Sequence, residues 1–413
     1  MFGMVDRVGK VFREYPRTFW ALVAANFIDT IGGTLLFPYF SLYVTQRFGV
    51  GMTEAGLLLA VFSLSGMAGA GLGGALTDRF GRRGIVLFGL VFSAAGALTL
   101  GMVGELWMFY PLAAVVGLLG SVADPARQAI IADVLPENQR AEGFGLMRVA
   151  GNLAWIIGPT IGGLLAGYSF MWLFILDFIT SCLTAVVIYL LVPETMPQAV
   201  PCAKPQGMVQ VFAGYRHVFK DGFFMGVVAA SMLMLIVYQQ LYSTLSVYLR
   251  DSHGVSAQGY GLLLSLNAGL VVLLQLWVTR RIKARPPLLM MVAGTMLYAV
   301  GFGMFGFVSA YWLFVVAAVI ITAGEMIVVP VAQSLAAILA PADMRGRYMA
   351  VWGLAWAIPS TIGPVAAGLV MDNLNPNLVW YASIVLCSAG AMGYYLLHTR
   401  AQKRLAMAAQ PEP

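Results

Sequence analysis

Long apolar runs, broken by short polar stretches, make up almost the whole chain. The runs cover 18–46, 55–77, 85–104, 107–132, 143–167, 169–192, 222–249, 258–278, 287–308, 311–338, 346–370 and 377–397. Each is close to, or longer than, the roughly 20 residues that a helix needs to cross the hydrocarbon core of a bilayer. None alternates apolar and polar residues as a barrel strand does, so helices must satisfy the backbone within lipid. The pattern predicts an all-α integral membrane protein with twelve transmembrane helices, numbered below as spans 1 to 12. One polar stretch is longer than the rest. Residues 193–220 hold Pro197, Pro201, Lys204, Pro205, Arg216 and Lys220, enough chain to link two bundles. Residues 1–16 carry Arg7, Lys10 and Arg13, and the run after Arg17 is too long for a cleaved signal segment, so span 1 is expected to be retained.

Composition excludes a soluble globular domain, with 60% hydrophobic and 10% charged residues among 413. A net charge of +6 raises the question of nucleic acid, and its placement answers it. Of the 24 lysines and arginines, Arg47 and Arg250 alone sit on one set of alternate loops. Arg127 and Arg148 fall inside apolar runs, and the rest crowd the other loops and the tails. That positive-inside bias predicts a multi-pass protein of the cell (inner or plasma) membrane with both termini in the cytoplasm, and no nucleic-acid partner. Cys182, Cys202 and Cys387 are scattered and form neither a disulfide framework nor a metal site. His217, His253 and His398 lie in loops or at span ends, and no G-x-x-x-x-G-K-[ST] loop occurs. Neither an enzyme nor an ATP-driven machine is expected.

A shift of 205 residues lays Phe48-Gly49-Val50 on His253-Gly254-Val255 and Gly56-Leu57-Leu58-Leu59 on Gly261-Leu262-Leu263-Leu264. The same register lays Pro125 on Pro330, Gln128 on Gln333, Pro136 on Pro341, Arg140 on Arg345, and Gly158-Pro159 on Gly363-Pro364. Several matches in one register point to duplication. Six spans separate the copies, so both enter the membrane in the same sense, as parallel repeats. The expected organisation is an N-terminal six-helix bundle over 1–192, a cytoplasmic linker over 193–220, a C-terminal six-helix bundle over 221–398 and a cytoplasmic tail over 399–413.

Between spans 2 and 3 lies a densely charged turn, Gly74-Ala75-Leu76-Thr77-Asp78-Arg79-Phe80-Gly81-Arg82-Arg83. This G-x-x-x-D-R-x-G-R-R turn, the two parallel six-span halves and the central linker together resemble the major facilitator superfamily over essentially the whole chain. Span 5 carries Gly158-Pro159-Thr160-Ile161-Gly162-Gly163, similar to the G-P-x-x-G-G motif of the 12-span drug:proton antiporters within it. Pro159 removes a backbone donor and bends the helix, and the glycines allow a close neighbour. Small-residue packing of this kind is also common in membranes, so helix packing is the competing explanation.

The resemblance implies two pseudo-symmetric bundles that rock about a central site in a monomer. A proton gradient is the energy source, without a cofactor, and small molecules and protons are the partners. It also implies that Arg82 pairs with Asp133 and that Asp78 meets the N-terminus of span 11. Gly74, Asp78, Arg79, Gly81, Arg82, Arg83 and Asp133 would then form a cytoplasmic gate. The second half lacks its copy, with Arg280-Arg281-Ile282-Lys283-Ala284-Arg285 at the turn and Ile338 where Asp133 would repeat. Charge bias alone accounts for Arg83 and the Arg280 cluster.

An ionisable residue at mid-membrane costs roughly 2.5–3.5 kcal/mol, so each needs a partner, water or a function. Asp29 is central in span 1 and Glu325 in span 10, while Asp124, Arg127 and Arg148 occupy the inner halves of spans 4 and 5. The family fold lines its cavity with spans 1, 4, 7 and 10. Glu325 and Asp29 are therefore the first expected proton carriers, followed by Asp124 with Arg127 and Arg148. A fixed ion pair is the competing reading, above all for Asp124 with Arg127 three residues on. Asp177, on a scaffold helix, reads as structural. One family feature is missing: where many drug antiporters place arginine in R-x-x-x-G, Ala113 stands four before Gly117.

Span 7 contains the polar patch Tyr238-Gln239-Gln240-Leu241-Tyr242, and Tyr238, Gln239 and Tyr242, with Asn152, Trp155 and Trp356, are the expected cavity residues. Aromatic faces, methionines and a few acids suit lipophilic or cationic molecules. Multidrug efflux by proton antiport is the function expected. A transporter of a defined metabolite (sugar, amino acid or lysolipid) is the alternative, and an uncoupled channel a more distant one.

Overall fold

The computed structural model describes residues 14–196, 215–341 and 344–408; the side chains of Ala75, Asp78, Asn138, Ala141 and 402–408 lie outside the described set. Much of the expected linker and the start and end of the chain thus fall outside it. Among the described residues there is no strand. Twelve helices of the described residues are long and apolar enough to cross a membrane: Arg17–Phe48, Met52–Gly74, Arg82–Met102, Leu106–Val134, Glu142–Ala166, Met171–Leu191, Gly222–Gln239, Ala257–Ile282, Pro287–Met304, Tyr311–Leu339, Arg345–Asn373 and Leu378–Ala401. The chain is a multi-pass membrane protein. Large apolar side chains such as Leu190, Leu273, Leu276, Trp277 and Val385 are exposed, as a lipid-facing surface requires.

Several spans break where the apolar pattern runs on. In span 1 a 3-10 turn, Phe37–Tyr39, separates helices Arg17–Leu36 and Phe40–Phe48, because Pro38 has no amide to donate. Span 4 is reset at Val122 into Leu106–Ser121 and Ala123–Val134, which places Pro125 in a first turn where its missing N–H is not needed. Span 7 differs from expectation. Its helix runs from Gly222, capped by Asp221 accepting from Phe223 and Phe224 amides at 3.1 and 3.0 Å, only to Gln239. A turn follows, then a separate helix Leu245–His253 closed by Gly254 at φ 63°.

By packing, the chain divides into two compact units. One holds the described residues of Met1–Tyr43, Val61–Val200 and Ser256–Ala268; the other holds those of Val44–Ala60, Pro201–Val255 and Gly269–Pro413. In the first, span 1 lies against spans 5 and 6, and span 3 against 4 and 6. In the second, span 7 lies against spans 11 and 12, and span 9 against 10 and 12. The neighbours recur six spans on, so the duplication in sequence is also one of packing. Phe19, Leu90, Ala126 and Ile130 are fully buried in the first unit. In the second, Phe305 meets Trp380 and Phe314 with ring centroids 5.2 and 5.7 Å apart.

Each unit also contains a close crossing at which repeated glycines face main chain. In the first, a Cβ on Gly261 would collide with the Pro159 carbonyl, and one on Gly163 would lie 2.8 Å from that of Ala257. In the second, one repeat length away, a Cβ on Gly56 would lie 2.6 Å from the Pro364 carbonyl and one on Gly368 2.7 Å from that of Met52. Only glycine leaves room for backbone to meet backbone in this way. The crossings differ at one end. Asp372 of span 11 accepts from the Met52 and Thr53 amides at 2.9 and 2.7 Å, whereas span 8 starts under its own Ser256, whose Oγ accepts from the Gly259 amide at 3.2 Å.

Candidate functional site

The charged turn between spans 2 and 3 is held by more than its arginines. Gly81 sits at φ 87°, a conformation that strains any side chain, and a Cβ there would lie 2.7 Å from Glu194 Oε2. Arg82 is ion-paired with Asp133, as the resemblance implies, and also donates to the Ala129 carbonyl at 3.2 Å. Arg83, which charge bias alone would explain, donates to the Tyr189 carbonyl and lies 4.9 Å over the Tyr189 ring. Arg79 lies 5.3 Å over the Phe80 ring, and a Cβ on Gly74 would meet nothing within 4 Å. The Asp78 side chain is outside the described set. Glu194, which sequence reasoning missed, accepts from the amides of Arg82, Arg83, Thr195 and Met196 at 2.9, 3.1, 3.0 and 3.0 Å. Partial burial pushes its carboxyl up, but these four donors more than offset that and hold it below the ordinary glutamate value.

A cavity of about 530 Å³ opens among spans 1, 3, 4, 5 and 6 of the first unit. Asp29, Asp124, Arg127 and Arg148 all line it, with Asn26, Gln128, Phe144 and Met147. Arg127 is ion-paired with Asp29 of span 1, which corrects the local pairing with Asp124 that their spacing favours. The reset of span 4 explains the difference. Asp124 stands in the first turn of helix Ala123–Val134, where the helix dipole already favours an acid, so Arg127 is available to reach across. Asp177 packs against span 1, its Oδ1 2.6 Å from where a Cβ on Gly32 would be.

In the second unit Glu325 accepts from Tyr238 Oη at 3.0 Å, and the Tyr238 and Tyr242 hydroxyls are 3.1 Å apart. Tyr298 stacks on Tyr238 at 5.7 Å and Trp356 meets it edge-on at 6.3 Å. Expected cavity residues thus converge on an expected proton carrier, and Tyr298 joins them. Gln239 does not; its Cβ lies 3.9 Å from where a Cβ on Gly363 would be. Asn152 and Trp155 belong to the first unit, where both are half-buried.

The Gly158-Pro159-x-x-Gly162-Gly163 motif is a packing surface on two sides. Against span 1, a Cβ on Gly158 would collide with Thr34, one on Gly162 would lie 2.7 Å from the Leu35 carbonyl, and Tyr39 Oη donates to the Pro159 carbonyl at 2.5 Å. Against span 8 lie the Gly163–Ala257 approach and a 2.5 Å hydrogen bond between the Thr160 and Ser265 hydroxyls.

Known proteins show the same architecture. The sequence profile described as Major Facilitator Superfamily matches residues 22–364 and 290–411. The chain is 28% identical over 382 residues to a Na(+), Li(+), K(+)/H(+) antiporter of Planococcus maritimus, covering 86% of this chain and 89% of that protein. It is 25% identical over 393 residues to the multidrug resistance protein MdtH of Salmonella paratyphi B, covering 93% and 95%. Among solved structures, a POT family transporter in complex with 5-aminolevulinic acid aligns with a TM-score of 0.80 at 18% identity, covering 94% of this chain and 96% of that one. At such identity the likeness speaks for the fold alone. With the profile matched across nearly the whole length and the duplicated six-span packing beneath it, the chain belongs to the Major Facilitator Superfamily.

Proposed function

We propose that the chain is a proton-coupled secondary active exporter of lipophilic or cationic small molecules that works by alternating access. The observation that carries this reading is Glu325, an acid hydrogen-bonded to Tyr238, whose ring and hydroxyl meet Tyr242, Tyr298 and Trp356. Aromatic faces around a carboxylate attract an organic cation. A proton on the same carboxyl removes the charge attraction, so proton and cation compete for one group, and that competition is what exchange requires. Both termini and the Gly74–Arg83 turn then face the cytoplasm, in keeping with the placement of lysine and arginine. The multidrug relative supports this reading.

A second reading, exchange of alkali cations for protons, is favoured by the Planococcus relative and by the carboxylates of the 530 Å³ cavity. Proteoliposomes under an imposed pH gradient separate the two. Tetraphenylphosphonium efflux driven by the gradient and lost in Glu325→Gln supports the exporter. Sodium or potassium driving proton movement without tetraphenylphosphonium transport supports the second reading. Saturation by one narrow metabolite that dyes do not compete with returns the defined-metabolite alternative, and transport indifferent to the gradient removes coupling.

A further inference from the structure

Inside the membrane the first unit holds more acid than base. Away from the span ends, its charged residues are Asp29, Asp124, Arg127, Arg148 and Asp177. Three carboxylates against two guanidiniums leave one negative charge without compensation. Arg127 is paired with Asp29, and Asp124 has the helix start beneath it, with both arginines lining the same cavity.

Asp177 stands apart on span 6, outside that lining, with its Oδ1 pressed toward Gly32 and beside Thr180. Among the described residues no lysine or arginine is ion-paired with it. Span 6 packs on spans 1, 3 and 5, which bring Asp29 and Arg148 as their interior charges, since span 3 has none beyond Arg83. Of these, Asp29 stands one helical turn before the Gly32 that Asp177 faces, and two carboxylates on packed helices repel. An uncompensated carboxylate in this setting is costly, and a bound proton removes the cost.

We infer that Asp177 is a proton-binding carboxyl of the transport cycle, coupled through Asp29 to the Arg127 ion pair. When a cation shields Asp29, repulsion of the Asp177 anion weakens and the proton leaves the Asp177 carboxyl for water. When Asp29 stands bare, the repulsion returns and the proton is taken up again. Arg127 is the resident shield, and a cationic substrate in the cavity would be a second one, so substrate arrival expels the proton. This role rests on the antiport reading above and adds a residue that a structural assignment of span 6 leaves out.

Tetraphenylphosphonium added to purified protein in weak buffer, with a pH dye, should release protons from the wild type. Asp177→Asn should still bind the probe but release at most half as many protons, and gradient-driven efflux should fall at least tenfold. Asp177→Glu, which restores a titratable carboxyl, should recover part of both. In the unaltered protein a hydrophobic carbodiimide, which attacks protonated membrane carboxyls, should label Asp177, and the probe should reduce that labelling. Full proton release from Asp177→Asn, or no labelling at Asp177 where Glu325 is labelled, overturns the assignment. Wild-type protein that releases no proton and ignores the gradient overturns the antiport reading itself.

Discussion

Removing the Glu194 carboxylate should loosen the turn at Gly81–Arg83 by an amount that follows from its contacts. It accepts four amides at 2.9–3.1 Å, two of them from the first turn of helix Arg82–Met102, which has no cap from its own N-cap residue. Replacing a capping side chain by alanine costs about 1 kcal/mol, within a range of roughly 0.5–2. The helix dipole would add about 0.3–1 kcal/mol for a carboxylate at low salt, but Glu194 is exposed and screening removes most of that. Glu194→Ala should therefore cost about 1 kcal/mol, and Glu194→Gln, which keeps one acceptor oxygen, roughly half of it. For a chain of this size that is a fall in melting temperature of about 1–2 °C, readable by tryptophan fluorescence in detergent. The sign of the pH dependence follows from the lowered folded value. The contribution is complete above the unfolded glutamate value and is lost as pH falls through the lower folded one. The gap between wild type and Glu194→Ala should hold from about pH 8 to about pH 5 and then narrow in more acid, towards the part that one neutral acceptor oxygen keeps. No gap at neutral pH, or one that persists unchanged in acid, would refute the capping argument.

Three further outcomes are expected. Asp29→Asn should destabilise by about 2–3 kcal/mol, under the range for fully buried pairs because the Arg127 and Asp29 side chains are 33% and 20% exposed. A double variant with Arg127→Gln should recover part of the loss, and strict additivity in the melts would argue against the pair. Gly56→Ala and Gly261→Ala should each cost about 1–3 kcal/mol by overpacking. Gly269→Ala, where a Cβ meets nothing within 4 Å, is the control, and equal effects at all three would exclude the crossings as the cause. Asp372→Asn should speed hydrogen exchange at the Met52 and Thr53 amides several-fold, since the cap weakens while the helix remains; unchanged exchange would deny Asp372 that role.

What could be read from the sequence depended on contrast. Arg82 and Asp133 stand out because they are charged residues flanking apolar helices, and their pairing is what the family resemblance implies. Span 7 could not be bounded, because apolar residues resume at Leu245, Val247 and Leu249 beyond the polar patch, and lipid accepts a second short helix as readily as the continuation of the first. Spacing alone offers Arg127 the local acid Asp124, because a partner 98 residues away is not visible in sequence. Glu325 and Tyr238 were each singled out, but their hydrogen bond spans 87 residues and needed the fold to be seen. Glu194 carried no signal, since one acid after a proline reads as ordinary loop. Its partners are backbone amides, which have no identity in a sequence.

Where Gly261 meets Pro159 and Gly56 meets Pro364, main chain faces main chain, with the Tyr39 hydroxyl beside the first. A long side chain fixed in one rotamer gives up as much as about 1.5–2 kcal/mol of conformational entropy, and a glycine has no rotamer to give up. Such crossings form and part with little change in side-chain entropy, and dispersion between surfaces already shaped for each other supplies their strength. Duplication copied the glycines of both, and Asp372 is the charge that sets the two apart.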